Sequence, residues 1–474
     1  MKPARRTVAL LCFACLPGPA SAARGPQTPY NIVIVDICSA RADRFGAYGY
    51  SKPTTPQIDA LAKESVVFER AMAQSSWCLP NYASLFTGHT PEVHGQYVNA
   101  PLRGLPGFET TLAQRMKEAG YDTASFSGGV YMMKAWGLDK GFDHYENLFS
   151  TAAAMPASMD AALPRVERWV KRDRKGPFFL YMAVDDLHTP YQSAEPERFD
   201  PGYDGIAHDT DVAHVRFFRA YNGEALADGD PLLPKLELFR RDPRHLAHLS
   251  AHYDASLRHA DAKIAELVAR LKAAGRWERT VLIVTADHGE LLGEHGLMGH
   301  TEGLYEPVLR VPLILRHPGF PELRGRRISK PVQRIDLTPT VLDIAGASYA
   351  GAELQGASLL PLLRDPGGPW RAYAYASSKR NMSRTTDLSI DERVLQNERW
   401  KLHWYAYKDR YELYDLERDP LETRDVSADN PDVLGAMSFE LLKRVEQSRP
   451  HAPGLPSGRA PGESSRLELP SRRR

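Results

Sequence analysis

The chain is poor in cysteine, in net charge of either sign and in long apolar runs. Only 4 of its 474 residues are cysteine, too few for a disulfide-stapled scaffold. Lys and Arg number 60 against 59 Asp and Glu, a net charge of +1, so nothing in the charge argues for nucleic acid or an anionic membrane surface as the main partner. Beyond the N-terminal segment no apolar run is long enough to cross a bilayer.

That segment, MKPARRTVALLCFACLPGPASAARG, has a basic start, an apolar centre from Val8 to Leu16 and a small-residue Ala-Ser-Ala ending near position 22. It reads as a secretory signal over residues 1–23, which places the mature protein in the periplasm or outside the cell. Its removal takes Cys12 and Cys15 with it and leaves Cys38 and Cys78. With no integral membrane segment after signal removal, the rest divides into a main domain over 24–368, interrupted by an insertion at about 195–249, and a smaller α+β subdomain over 369–448. A Pro-, Gly-, Ser- and Arg-rich tail follows over 449–474, with a composition typical of disorder.

Apolar runs at Asn31–Ile37, Ala124–Ser127, Phe178–Val184, Val281–Ala286 and Pro312–Leu315 alternate with helical patterns. This predicts an α/β fold, a large mostly parallel sheet sandwiched by helices. Thr111–Ala119 and Leu257–Ala274 are the clearest helices; in the second, Ile264, Leu267, Val268 and Leu271 share one face. From Trp370 onward, short aromatic, alternating runs predict a small antiparallel sheet closed by a helix around Asp432–Glu446.

The stretch VLIVTADHGELLGEHGLMGH, Val281 to His300, carries the strongest chemical signal. A buried strand that ends in Asp287-His288 presents two ligand-type side chains at the edge where open α/β sheets place their sites. Set beside NIVIVDICSARADRFGAYGY (Asn31–Tyr50) and SSWCLPNYASLFTGHTPEVHG (Ser75–Gly95), it resembles the sulfatase family within the alkaline-phosphatase-like superfamily. The resemblance continues in family order through DLHTPY, LYEPVLRVPLILRHPG, IDLTPTVLDIAG and ELYDLERDPLETRDV.

The resemblance implies hydrolysis of a sulfate or phosphate-type ester at one divalent metal, with Ca²⁺ ahead of Mg²⁺ or Mn²⁺. Carried over by position, Asp287 and His288 are the late metal pair, His188 is the acid to the leaving group and His300 contacts the transferred group. His288 stands where arylsulfatases more often have Asn. That feature, with Asn99 as a substrate-binding residue, is similar to the phosphonate monoester and phosphodiester hydrolase branch. Cys78 occupies the position oxidised to formylglycine in sulfatases. His94 and His295 read as packing residues and Glu290 as a carboxylate supporting a ligand.

Three departures stand out. Tyr82 occupies the place of the motif's Arg and cannot offer its planar cationic fork. Counting back from Arg41-Ala42-Asp43, the early metal Asp falls on Cys38, and Asp36, two residues earlier at the strand end, is preferred as the ligand. The cations that grip sulfate after Gly120-Tyr121 are missing. A Cys38–Cys78 disulfide could silence the exported protein, provided the Cα atoms approach within about 7 Å. The sequence thus predicts an exported metal-dependent sulfatase acting on a small-molecule or glycan sulfate ester. A phosphodiester or phosphonate monoester hydrolase, and a catalytically silent binder of sulfated glycans, are the alternatives.

Overall fold

The strand Asn31–Ile37 is buried along its whole length, as expected of an Ile- and Val-rich strand with helices over both faces. In the computed structural model it pairs in parallel with Phe178–Val184 on one side and Thr280–Thr285 on the other. The structure describes residues 29–97, 104–107, 109–149, 159–191, 195–209, 211–381 and 389–448. The signal segment, the C-terminal tail and Asn99 lie outside these described residues.

The main sheet has eight strands, in the order Arg327–Ile328, Val66–Phe68, Leu313–Arg316, Thr280–Thr285, Asn31–Ile37, Phe178–Val184, Asp122–Ser127 and His144–Asn147. Leu313–Arg316 runs antiparallel to both neighbours and the other seven share one direction. The short strands at 66–68, 144–147 and 327–328 have no periodic signature of their own, because two to four residues are too few to show alternation.

The insertion at about 195–249 is largely helical. It holds helices at Val215–Tyr221 and Leu232–Arg241, and a 31-residue helix, Pro243–Ala273, absorbs its end. Asp242 caps that helix by accepting from the Arg244 amide at 2.9 Å, with Pro243 at the first position. Its first half buries His245, His248, Tyr253, Asp254 and Ser256 among Leu249 and Leu257, so hydropathy revealed only the second half.

The C-terminal sheet is antiparallel, ordered Ala374–Asn381, Ser389–Gln396, Trp400–Tyr405, Arg410–Asp415. The helix Pro431–Gln447 packs over a small core of Tyr375, Leu395, Leu402, Leu413, Met437 and Leu441. This sheet is tied to the main domain by Lys401, whose buried Nζ lies 3.1 Å from Glu306 and 2.9 Å from Glu422. Among the described residues no helix is long and apolar enough to cross a membrane.

Candidate functional site

Three adjacent parallel strands end on one edge of the sheet, and the segments that leave them converge there. Asn31–Ile37 runs into Cys38 and Ser39, Phe178–Val184 into Asp185 to His188, and Thr280–Thr285 into Asp287 and His288. Gly289 then folds back against the chain: a Cβ there would lie 2.0 Å from the Pro307 carbonyl oxygen, so no other residue fits. Cys78 enters from elsewhere as the first residue of the helix Cys78–Thr87, where unpaired amides favour a thiolate.

Cys38, Cys78, Asp287 and His288 place one ligand atom each within 4.8 Å of one another, and all four are buried. The Cys38 and Cys78 sulfurs are 3.9 Å apart, Cys78 Sγ is 3.1 Å from His288 Nε2, and Cys38 Sγ is 3.4 Å from Asp287 Oδ2. His288 donates from Nδ1 to the Gly289 carbonyl at 2.8 Å, which aims Nε2 at the cluster. Asp287 Oδ1 accepts from the amides of Ser39 (3.0 Å) and His288 (2.8 Å), leaving Oδ2 turned inward.

His188 and His300 close the other side, each with a ligand atom within 4.8 Å of Cys78. His188 donates from Nδ1 to the Thr189 carbonyl at 2.8 Å, so its Nε2 is the nitrogen left to face Cys78. His300 Nδ1 is 2.9 Å from Glu290 Oε2, which gives Glu290 the supporting place expected of it. The imidazole rings of His188 and His288 lie 5.2 and 4.4 Å, centroid to centroid, from that of His300.

The electrostatics favour an ionised Cys78. The hydrogen bond from Cys38 is the largest influence holding its thiol well below the usual range, with burial opposing and His288 assisting. The same contact, with burial, pushes the Cys38 thiol well up, so the pair shares one proton. Burial works against a charged His188, yet its hydrogen bond to Cys78 raises the ring to about 9. Burial likewise opposes a charged His300, but the Glu290 carboxylate and Cys78 together outweigh it and hold the ring well above its usual range. Asp185 is raised to about 7 by burial, with His188 opposing.

Asp36 stands apart from the cluster. One of its oxygens, Oδ2, accepts from Tyr181 at 2.8 Å and from Arg334, and the other, Oδ1, is buried without a partner. Burial raises its carboxyl to about 6, against the pull of Arg334. Cys38, and not Asp36, gathers with Asp287 and His288, while Tyr181 and Arg334 already claim one Asp36 oxygen. Arg334 is the residue that sequence reasoning missed. It is fully buried behind the Cys78 helix, donates to the Asn81 carbonyl at 2.8 Å and feels the nearby Tyr82 hydroxyl. Its guanidinium thus brings a cation near the place where Tyr82 removes one; a lone Arg before an apolar segment gave no signal of this.

His94 is a packing residue, its Nε2 2.9 Å from Ser84 Oγ and its ring pushed down to about 3 by burial. His295 stacks on Tyr305 with ring centroids 3.6 Å apart.

Four converging donors fit a single divalent cation. Two sulfurs and an imidazole suit Zn²⁺, whereas Ca²⁺ takes six to eight oxygens. Replacing the Cys78 sulfur by an aldehyde hydrate would return one oxygen to the set. Cys38 and Cys78 are both free thiols, with sulfurs near enough to meet after a small rotation but well beyond the ~2.05 Å of a bond.

The sulfatase family model matches residues 30–347, and the C-terminal model of N-sulphoglucosamine sulphohydrolase matches residues 293–450. The Ulvan-active sulfatase of Formosa agariphila is 26% identical over 72% of this chain, and the chain covers 66% of its length. Human N-sulphoglucosamine sulphohydrolase is 26% identical over 81% of this chain and 83% of its own. Among solved structures, a protein complexed with its substrate D-glucosamine-2-N,6-O-disulfate superposes with a TM-score of 0.73 at 20% identity, covering 89% of this chain and 98% of that one. The phosphonate monoester hydrolase of Agrobacterium radiobacter gives 0.71 at 22% identity, over 88% and 96%.

Proposed function

Because this chain belongs to the sulfatase family, we propose that it is an exported hydrolase that cleaves the sulfate ester of a glycan, an amino sugar first among candidates. The observation that carries this reading is the convergence of His188, His288 and His300 on the buried sulfur of Cys78. The match of residues 293–450 to the C-terminal part of N-sulphoglucosamine sulphohydrolase supports the amino-sugar class, and the leader at residues 1–23 supports export.

In this reading Asp287, His288 and Cys38 hold a divalent cation, which when bound neutralises the anionic group and favours the ionised nucleophile. The two sulfurs favour Zn²⁺ over the Ca²⁺ of the family resemblance. Cys78 supplies the nucleophile. As formylglycine it attacks through a hydrate hydroxyl; unmodified, it attacks as the thiolate that Cys38 and His288 stabilise. His188, protonated at neutral pH, gives its Nε2 proton to the departing oxygen. His300, held charged by Glu290, faces the transferred group, and Asn99 is assigned a substrate contact.

Hydrolysis of a phosphodiester or phosphonate monoester is the second reading. It is favoured by an imidazole at 288, by Asn99 and by the missing cations after Gly120-Tyr121. Non-reducing mass spectrometry of the Cys78 peptide, paired with turnover of glucosamine 6-sulfate, 4-nitrophenyl sulfate and a 4-nitrophenyl phosphodiester, separates these. An aldehyde at 78 with sulfate release supports the first reading and preferential phosphodiester cleavage the second. Binding of sulfated sugars with no turnover by metal-loaded protein would leave a silent binder.

A further inference from the structure

A second cluster of ligand-type side chains lies in the lobe built from the insertion. His248 and His252 are one turn apart on the helix Pro243–Ala273, so both rings leave the same face. His208, at the end of the turn Ile206–His208, reaches across to them. One nitrogen from each of the three lies within 4.8 Å of the others.

The hydrogen bonding leaves each of the three rings with a nitrogen unclaimed. His248 is fully buried, stacked on Tyr203 with centroids 3.8 Å apart, and its Nδ1 donates to Asp200 Oδ2 at 2.9 Å. That bond fixes the tautomer, so the buried Nε2 is a lone pair, and it has no partner. Both ring nitrogens of His252 are buried and unpartnered as well. His208 donates from Nε2 to the Tyr203 carbonyl at 2.9 Å, which leaves Nδ1 as its lone pair.

Three imidazoles that share a focus, one of them braced by a carboxylate, form the arrangement that transition metals select. We propose that His208, His248 and His252 bind one Zn²⁺ ion, with Asp200 orienting His248, at a site separate from Cys38, Cys78, Asp287 and His288. The all-nitrogen donor set suits Zn²⁺, Cu²⁺ or Ni²⁺ and excludes Ca²⁺ and Mg²⁺. The ion satisfies the buried Nε2 of His248 and a buried nitrogen of His252 and, through the exposed His208, fastens the turn Ile206–His208 to the long helix.

The test uses untagged full-length protein loaded with ¹¹³Cd²⁺ as the probe, read by NMR, beside Zn²⁺ titration by calorimetry. A nitrogen-type cadmium resonance is expected, distinct from any sulfur-shifted signal of the cysteine cluster. It should vanish in H252A and in H208A while the sulfur-shifted signal stays. Zn²⁺ affinity at this site should fall about tenfold or more in D200N. His208 is exposed, so H208A keeps the test valid if H252A folds poorly. Identical Zn²⁺ stoichiometry and cadmium spectra in wild type and H208A would overturn the proposal.

Discussion

Cys38 Sγ lies 3.9 Å from Cys78 Sγ, and the same Cys38 thiol lies 3.4 Å from Asp287 Oδ2. One thiol proton therefore serves either the nucleophile position or the carboxylate, and oxidation would remove it from both. In protein that keeps Cys78 as a thiol, diamide treatment should join the two cysteines with the loss of two hydrogens. Hydrolysis should stop and return with dithiothreitol, and C38S should resist the inhibition. Persistence of two titratable thiols after oxidant would dispose of this switch.

His188 is expected to matter in proportion to how badly the leaving group needs a proton. Replacing it with Ala should lower kcat about 10²- to 10⁴-fold for a sugar sulfate. A 4-nitrophenyl ester, whose leaving group departs without help, should be far less affected. Equal losses on both substrates would make His188 a structural residue.

Asp36 and Arg334 are both buried and pair directly. Arg334→Met leaves an uncompensated carboxylate in the core and should cost about 3–5 kcal/mol in urea unfolding. The double variant D36V/R334M should recover most of that loss. A single variant as stable as wild type would mean that Asp36 is balanced by another cation, such as a bound metal.

Glu422 joins the C-terminal sheet to the main domain through Lys401, His403 and the Glu306 amide. Burial opposes its ionisation, but Lys401 and His403 pull the carboxyl from its usual 4.5 down to about 2. A depressed acid stabilises the fold only while ionised, so its contribution is complete above pH about 4.5 and drains away as pH falls toward 2. Melting temperature measured down this range should fall more steeply in wild type than in Glu422→Gln, which starts lower. Parallel curves would count against the assignment.

The elements that sequence made legible are those with long apolar patterns. Asn31–Ile37 and Phe178–Val184 have the predicted bounds, and Val281–Ala286 is shifted by one residue. The first half of the 31-residue helix was not legible, because its buried residues mix His, Tyr, Asp and Ser with Leu249, Leu257 and alanines. Within the site, Cys78, His188, Asp287, His288 and His300 come together from segments read as one family pattern. The choice of Asp36 over Cys38 turned on Arg334, 298 residues downstream, a contact no local pattern reports. The His208, His248 and His252 group was hidden similarly, since its third member comes from a separate turn.

That separation also sets an order of events in the life of the chain. A ribosome adding about 5–20 residues per second needs roughly 15 to 60 seconds to go from Asp36 to Arg334. Until Arg334 arrives, the core beneath Cys78 cannot close, and the cysteine stays open to anything that would modify it. Once folded, Cys78 is only 3% exposed. Any enzyme that oxidises this cysteine must therefore act on the nascent or unfolded chain, so the fate of Cys78 is decided before the fold closes over it.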